Sequence, residues 1–302
     1  GLAGSYSTEI CAGAGFDWLL VDGEHAPNDL QSILHQLQII AGYPNSHAIA
    51  RVPMGLGQAG QMLIKQYLDI GVQTLLVPMI DTAEQAATVV RSARYPQDDG
   101  GGGVRGMGGA RGSRWGQYTH YAKEANAQVC VLVQAETRTA IDNLDAIVAT
   151  DGVDGVFIGP SDLSASFGHV GDPFHPDMKK LIDDTIRRIV AGGKAAGILV
   201  TDETLGRHYL DIGATFVAVG LDNNLLALAV GIALSATVGQ YFWVQAFKAG
   251  EIDAQGRQGA DHEREFARAE EHRTPSVSVG HRARRLPRLA RVWERKTAPV
   301  CP

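Results

Sequence analysis

The stretch Asp151-Gly152-Val153-Asp154-Gly155-Val156-Phe157-Ile158-Gly159-Pro160-Ser161-Asp162-Leu163-Ser164 decides the fold. Val156-Phe157-Ile158 is apolar on both faces and reads as a short buried strand. Gly159-Pro160 breaks the chain at the C-terminal end of that strand. Ser161 and Asp162 then set polar side chains and free backbone N–H groups at the strand mouth, where proteins built on parallel strands bind their ligands. A carboxylate there has two readings. It caps a helix, for which Asp is a preferred residue, or it ligates a hard cation.

Outward from this stretch the same alternation repeats. Residues 16–21, 48–52, 74–79, 130–134, 195–200 and 216–219 are strand-like. Helical spacing falls between them, over 30–40, 62–69, 83–94 (capped by Asp81), 118–127, 139–149, 178–191, 203–210 and 225–238. Strand alternating with helix implies a parallel sheet covered by helices. Seven strands are visible, whereas a closed barrel needs eight. Residues 1–5 resemble the loop after a strand, which places the eighth just before Gly1. An open doubly wound sheet is the alternative, but no G-x-G-x-x-G follows a first strand. The expected fold is therefore α/β, a (β/α)8 TIM barrel apparently lacking its first strand, over residues 1–238.

Composition narrows the function. The 302-residue chain carries a net charge of −6, which argues against nucleic acid as a partner. The charge is uneven: residues 241–302 hold 12 Lys/Arg and 8 Asp/Glu, leaving 15 and 25 before them. Residues 239–302 also contain Pro275, Pro287 and Pro299 and show no clear period. They read as a divergent Arg-rich tail, irregular or disordered. Cys11, Cys130 and Cys301 have no metal-type spacing and cannot all pair, which suggests a reducing cytoplasm. No apolar run approaches about 18 residues, and no signal-peptide pattern opens the chain, so neither a membrane span nor export is expected.

The reactive side chains gather at strand ends. Asp22, Arg51, Glu136 and Asp162 lie at or just past the C-terminal ends of four strands, and His25 follows in one loop. A barrel brings these ends to one mouth. Glu136 and Asp162 are hard oxygen donors on neighbouring strands, suited to Mg²⁺ or Mn²⁺. A 2-oxoacid could complete the ion's shell, its enolate stabilised by the Lewis acid and its carboxylate held by the N–H groups of Ser161 and Asp162. Arg51 suits a developing oxyanion; the competing reading is a structural pair with Asp22 or Glu24. A histidine titrates near neutral pH as a residue type, which makes His25 the natural general base, with Asp22 placed to orient it. No strand-end Lys offers a Schiff base. Arg105, Arg111 and Arg114, in a Gly-rich loop over 100–116, read equally as anion binders or as a solvated loop. His169 and His175 read as packing of a turn.

Several segments in order carry a resemblance: Ala14-Gly15-Phe16-Asp17-Trp18 through Asp22-Gly23-Glu24-His25-Ala26-Pro27-Asn28; Ile64-Lys65-Gln66 through Leu75-Leu76-Val77-Pro78; Arg94-Tyr95-Pro96; Val131-Leu132-Val133-Gln134-Ala135-Glu136-Thr137; and the opening stretch up to Ser166. Over about residues 1–235 the chain resembles the HpcH/HpaI aldolase family. The resemblance implies a class II aldolase that needs a divalent metal (Mg²⁺, Mn²⁺ or Co²⁺) and cleaves a 4-hydroxy-2-oxoacid to pyruvate and an aldehyde. By matching motif it implies Glu136 and Asp162 as metal ligands, Arg51 as the enolate-stabilising residue and His25 as the base, held by Asp22. It also implies Gln134 beside the metal, Ser161 as donor to the pyruvate carboxylate, and a homo-oligomer, usually a hexamer. The chain departs from the family pattern in its missing first strand, over residues 54–61 and 97–103, and beyond Val238. Two other readings remain: a CoA-ester lyase of the malyl- or citramalyl-CoA type, and a non-catalytic relative.

Overall fold

The computed structural model describes residues 1–96 and 102–233 of the chain. Seven strands follow one another: β1 (Trp18–Asp22), β2 (His47–Arg51), β3 (Thr74–Val77), β4 (Cys130–Ala135), β5 (Gly155–Ile158), β6 (Ala195–Leu199) and β7 (Phe216–Ala218). They form one sheet in sequence order, and every neighbouring pair is parallel. The sheet curls as a barrel with β1 and β7 as its edges. The rings of Trp18 and Phe216, one on each edge strand, lie 6.3 Å apart. This is the expected TIM-barrel-like architecture, seven strands of it.

Helices α1 (Ser5–Gly13), α2 (Leu30–Ile40), α3 (Gly57–Asp69), α4 (Ala83–Ala93), α5 (Tyr121–Gln128), α6 (Arg138–Asp142), α7 (Leu144–Ala149), α8 (Pro160–Ser166), α9 (Pro176–Ala191) and α10 (Glu203–Asp211) fill the connections. Local chemistry explains their starts. Asp29 and Ser32 form a reciprocal capping box on α2. Pro176 opens α9, whose buried stripe is Met178, Ile182, Ile186 and Ile189.

Two apolar layers result. One lies between sheet and helices and includes Ile33, Leu75, Val133, Val156 and Ile186. The other fills the barrel with Ile49, Leu76, Leu132, Phe157 and Phe216. Each such side chain contributes roughly 1.5–3 kcal/mol by leaving water. β3, β4 and β5 are buried along their whole length, which accounts for their unbroken apolar runs.

The structure departs from the sequence expectations in detail. Helix α3 begins at Gly57, inside the glycine-rich run. Thr82, not Asp81, caps α4; the Asp81 carboxylate instead accepts from Thr137. The helix expected over 139–149 is two, α6 and α7. Residues 222–233 are helical, and residues 223–233 belong to a second unit. The rest of the helix expected over 225–238, and the tail over 239–302, lie outside the described residues. No helix of the described residues is long and apolar enough to cross a membrane.

Candidate functional site

Parallel register sets the first pair. Asp22 and Arg51 end β1 and β2 directly opposite each other. Arg51 Nε donates to Asp22 Oδ1 (2.8 Å) and Nη2 to Oδ2 (2.6 Å) in a two-pronged contact. Its Nη1 meets Glu24 Oε2 at 2.9 Å and donates to Gln134 Oε1 at 3.3 Å. Both readings of Arg51 thus hold together: it is paired with two carboxylates, and one Nη2 hydrogen is left for another acceptor. The turn after β1 must be tight. Gly23 N–H donates to Arg51 O (2.9 Å), and a Cβ on Gly23 would lie 2.1 Å from the Tyr67 hydroxyl.

Gln134 carries the chain of contacts onward. Its Nε2 donates to Glu136 Oε2 (2.7 Å). The other oxygen, Oε1, accepts the backbone N–H of Met79 (2.8 Å). Glu136 is only 3 % exposed, at the C-terminal end of β4. Gly159 leaves room for it: a Cβ there would stand 2.3 Å from Glu136 Oε2. Gly159 immediately precedes α8, so the Glu136 carboxylate sits at the start of the helix that carries Ser161 and Asp162.

The opening ambiguity over Asp162 is resolved in one respect. Pro160 is the first residue of α8, and no side chain caps the helix. Leu163 is the first residue whose N–H reaches back, to Gly159 O at 3.0 Å. The N–H groups of Ser161 and Asp162 precede it in the first turn, where helices leave donors without intrahelical partners.

The electrostatics are lopsided. Burial pushes the Glu136 carboxyl up to about 7, and the charges of Glu24 and Asp162 add to it against the pull of the Met79 N–H and Arg51. Burial likewise raises Glu24 over the attraction of Arg51. Burial opposes ionisation of Asp22 too, but the Arg51 guanidinium and the backbone N–H groups of Glu24 and His25 outweigh it and hold Asp22 below the usual carboxylate range. Three carboxylates, of Asp22, Glu24 and Glu136, thus stand around one guanidinium, with Asp162 near Glu24 and Glu136. Such a group of hard, partly uncompensated oxygen donors suits a divalent cation.

His25 stands at the rim, its side chain 67 % exposed and its Nε2 3.8 Å from Glu24 Oε2. Asp22 reaches His25 only through the backbone N–H, at 3.4 Å. The ring's carboxylate neighbour is therefore Glu24 rather than Asp22. Sequence reasoning treated Glu24 only as a possible partner of Arg51. It missed Met79 entirely, because a backbone donor leaves no mark in residue type.

Two other groups fall away from the mouth. Arg105 is 2 % exposed. It binds Asp69 (2.9 Å) and the Tyr121 hydroxyl (3.2 Å) and lies over the Tyr95 ring at 4.3 Å. Arg111 Nη1 donates to Ile70 O (2.8 Å). Both fasten the C-terminal end of α3, a structural use in place of the anion-binding alternative for these two residues. His169 and His175 stack at 4.0 Å with planes 16° apart, and His175 Nδ1 accepts the Asp177 N–H. That is turn packing; Asp177 completes a group of metal-type donors there, but nearly parallel rings do not converge on one ion.

The sequence pattern of the HpcH/HpaI aldolase/citrate lyase family matches residues 2–229. A 4-hydroxy-2-oxovalerate aldolase from Rhodococcus jostii (strain RHA1) is 58 % identical over 226 residues, covering 75 % of this chain and 84 % of the relative. A hydroxypyruvate/pyruvate aldolase from Deinococcus radiodurans is 59 % identical over 231 residues, 76 % of this chain and 80 % of that one. The crystal structure of a HpcH/HpaI aldolase/citrate lyase family protein from Burkholderia cenocepacia J2315 superposes with a TM-score of 0.74 at 38 % identity, covering 78 % of this chain and 91 % of that one. The chain belongs to the HpcH/HpaI aldolase/citrate lyase family.

Proposed function

We propose that the protein is a divalent-metal-dependent (class II) aldolase. It cleaves a 4-hydroxy-2-oxoacid to pyruvate and an aldehyde and runs the reverse addition. One observation carries the reading: a buried carboxyl, Glu136, pushed up to about 7 among further carboxylates at the ends of parallel strands, with Arg51 as the cation bound into the cluster. The aldolase names of relatives more than half identical support the reaction class.

Glu136 and Asp162 would hold the ion, Mg²⁺, Mn²⁺ or Co²⁺, which when bound would supply Lewis-acid polarisation of the 2-oxo group. The first-turn N–H groups of Ser161 and Asp162 receive the substrate carboxylate. Gln134 fixes Glu136 and Arg51 relative to each other. In the cleavage direction His25 takes the proton of the 4-hydroxyl. The C3–C4 bond then breaks, the aldehyde leaves, and the bonding pair passes through C3 to the 2-oxo oxygen. The remaining Nη2 hydrogen of Arg51 stabilises that oxygen until C3 is protonated. Asp22 and Glu24 hold Arg51 in place, and the copies assemble as a homo-oligomer, in this reading a hexamer.

The test is pyruvate release from 4-hydroxy-2-oxoacids by metal-stripped enzyme, with and without added Mn²⁺. Activity that appears with Mn²⁺, vanishes in EDTA and is lost in Glu136→Gln is expected. Full activity in EDTA, or in Glu136→Gln, overturns the proposal. Release of free CoA from malyl-CoA without pyruvate aldolase activity favours a CoA-ester lyase instead.

A further inference from the structure

β3 brings no side chain to the cluster, yet it ends beside it. Val77-Pro78 closes the strand, and Met79 follows with φ 56°, in the left-handed region that a non-glycine residue enters at a cost. Two hydrogen bonds bracket this residue. Its own N–H donates to Glu136 Oε1 (2.8 Å), and the next N–H, of Ile80, donates to Gln134 O (3.1 Å). The torsion between those two N–H groups is set by where β4 holds their acceptors. With Gln134 Nε2 on Oε2, each Glu136 oxygen then has one fixed donor and keeps lone-pair capacity for a cation.

We infer that Met79 is a positioning residue: its left-handed backbone turn aims Glu136 for metal binding. The inference rests on the reading of Glu136 as a metal ligand and extends it to a residue outside the proposed ligand set. The side chain of Met79 is 47 % exposed, whereas Ile80 is fully buried. Replacing the Met79 side chain therefore disturbs little packing. A β-branched residue, which resists positive φ more strongly than Met does, must release one of the two N–H bonds. Ile80 is anchored in the core, so the bond to Glu136 is the one that yields. One Glu136 oxygen then swings free.

The experiment is a Mn²⁺ titration, followed by calorimetry and by the electron paramagnetic resonance signal of free Mn²⁺. It uses the full chain with Met79 as it stands and with Met79→Gly, Met79→Asn, Met79→Ala and Met79→Val. Thermal melts of the metal-free proteins run alongside. Affinity is expected to follow tolerance of the left-handed region: Gly and Asn within about twofold of the parent, and Val weaker by roughly tenfold. Asn is the informative rescue, because it shares neither the size nor the polarity of Met but accepts positive φ. If the Val variant fails to fold, Met79→Thr, also β-branched, takes its place, with Ala expected to stay near the parent. Equal Mn²⁺ affinity across the variants, or an order that follows side-chain size, overturns the inference. Glu136→Gln separates the two levels. If it binds Mn²⁺ as the parent does, the metal reading itself falls; if it loses Mn²⁺ while the Met79 series stays flat, only the positioning role falls.

Discussion

Two arginines, Arg51 and Arg105, are both tucked away from water, and for each an anion-binding role was one of two readings the sequence left open. Arg51 stands among Asp22, Glu24, Gln134 and Glu136, with negative charge in excess. Arg105 stands between Asp69 and the rings of Tyr95 and Tyr121, with its Nε and Nη1 lacking hydrogen-bond partners. The first environment is polar, anionic and at the strand mouth. The second is aromatic, nearly neutral and wrapped around a helix end. An arginine's chemistry is constant; its surroundings suit one to the proposed chemistry and make the other a strut.

That contrast breaks most sharply by substitution. Arg51→Met is expected to lower kcat for pyruvate release by roughly 10²–10³, as for loss of one oxyanion donor. Arg105→Met is expected to leave kcat within about twofold. Steady-state assays on the two variants check this, and similar losses in both would erase the distinction.

Stability sharpens it next, through pH. The Glu136 carboxyl rises from an ordinary 4.5 to about 7 on folding. The folded state therefore holds this proton more tightly, and metal-free stability falls as pH rises from about 4.5 to about 7, then levels. The loss is at most about 3 kcal/mol, at about 1.4 kcal/mol per pH unit. Asp22, held below its ordinary value, gives the opposite slope: its contribution is present above the unfolded value and is lost as pH falls through the folded one. Denaturant melts of the metal-free protein at pH 5 and pH 7.5 measure the Glu136 window. Glu136→Gln is expected to flatten it, and Arg105→Met to leave it unchanged. The smallest effect is that of Arg105→Met on stability at fixed pH, about 1–2 kcal/mol. The substitution breaks the pair with Asp69 but also removes two buried nitrogens, Nε and Nη1, that lack partners.

Much of this was legible before the structure. The apolar runs of 130–133 and 156–158 marked central parallel strands because both their faces are buried. Asp22, Arg51, Glu136 and Asp162 stood out because polar residues interrupt those runs at one end only. The helix ends were harder. Gly57-Gln58-Ala59-Gly60 opens α3 but reads as a breaker, since packing and not propensity holds its first turn. The role of Arg105 was hidden because its partner, Asp69, is distant in sequence and the intervening loop has no period. Met79 was invisible in principle: what matters is a φ angle and an N–H direction, and both belong to the fold of β3 against β4.

The central claim is that Glu136 and Asp162 share one divalent ion. The direct measurement is anomalous diffraction from a crystal of the full chain soaked in Mn²⁺ and pyruvate. One peak between the two carboxylates, with pyruvate oxygens beside it and the Arg51 guanidinium in reach, is the predicted result. A peak only at His169, His175 and Asp177, or none, would contradict it.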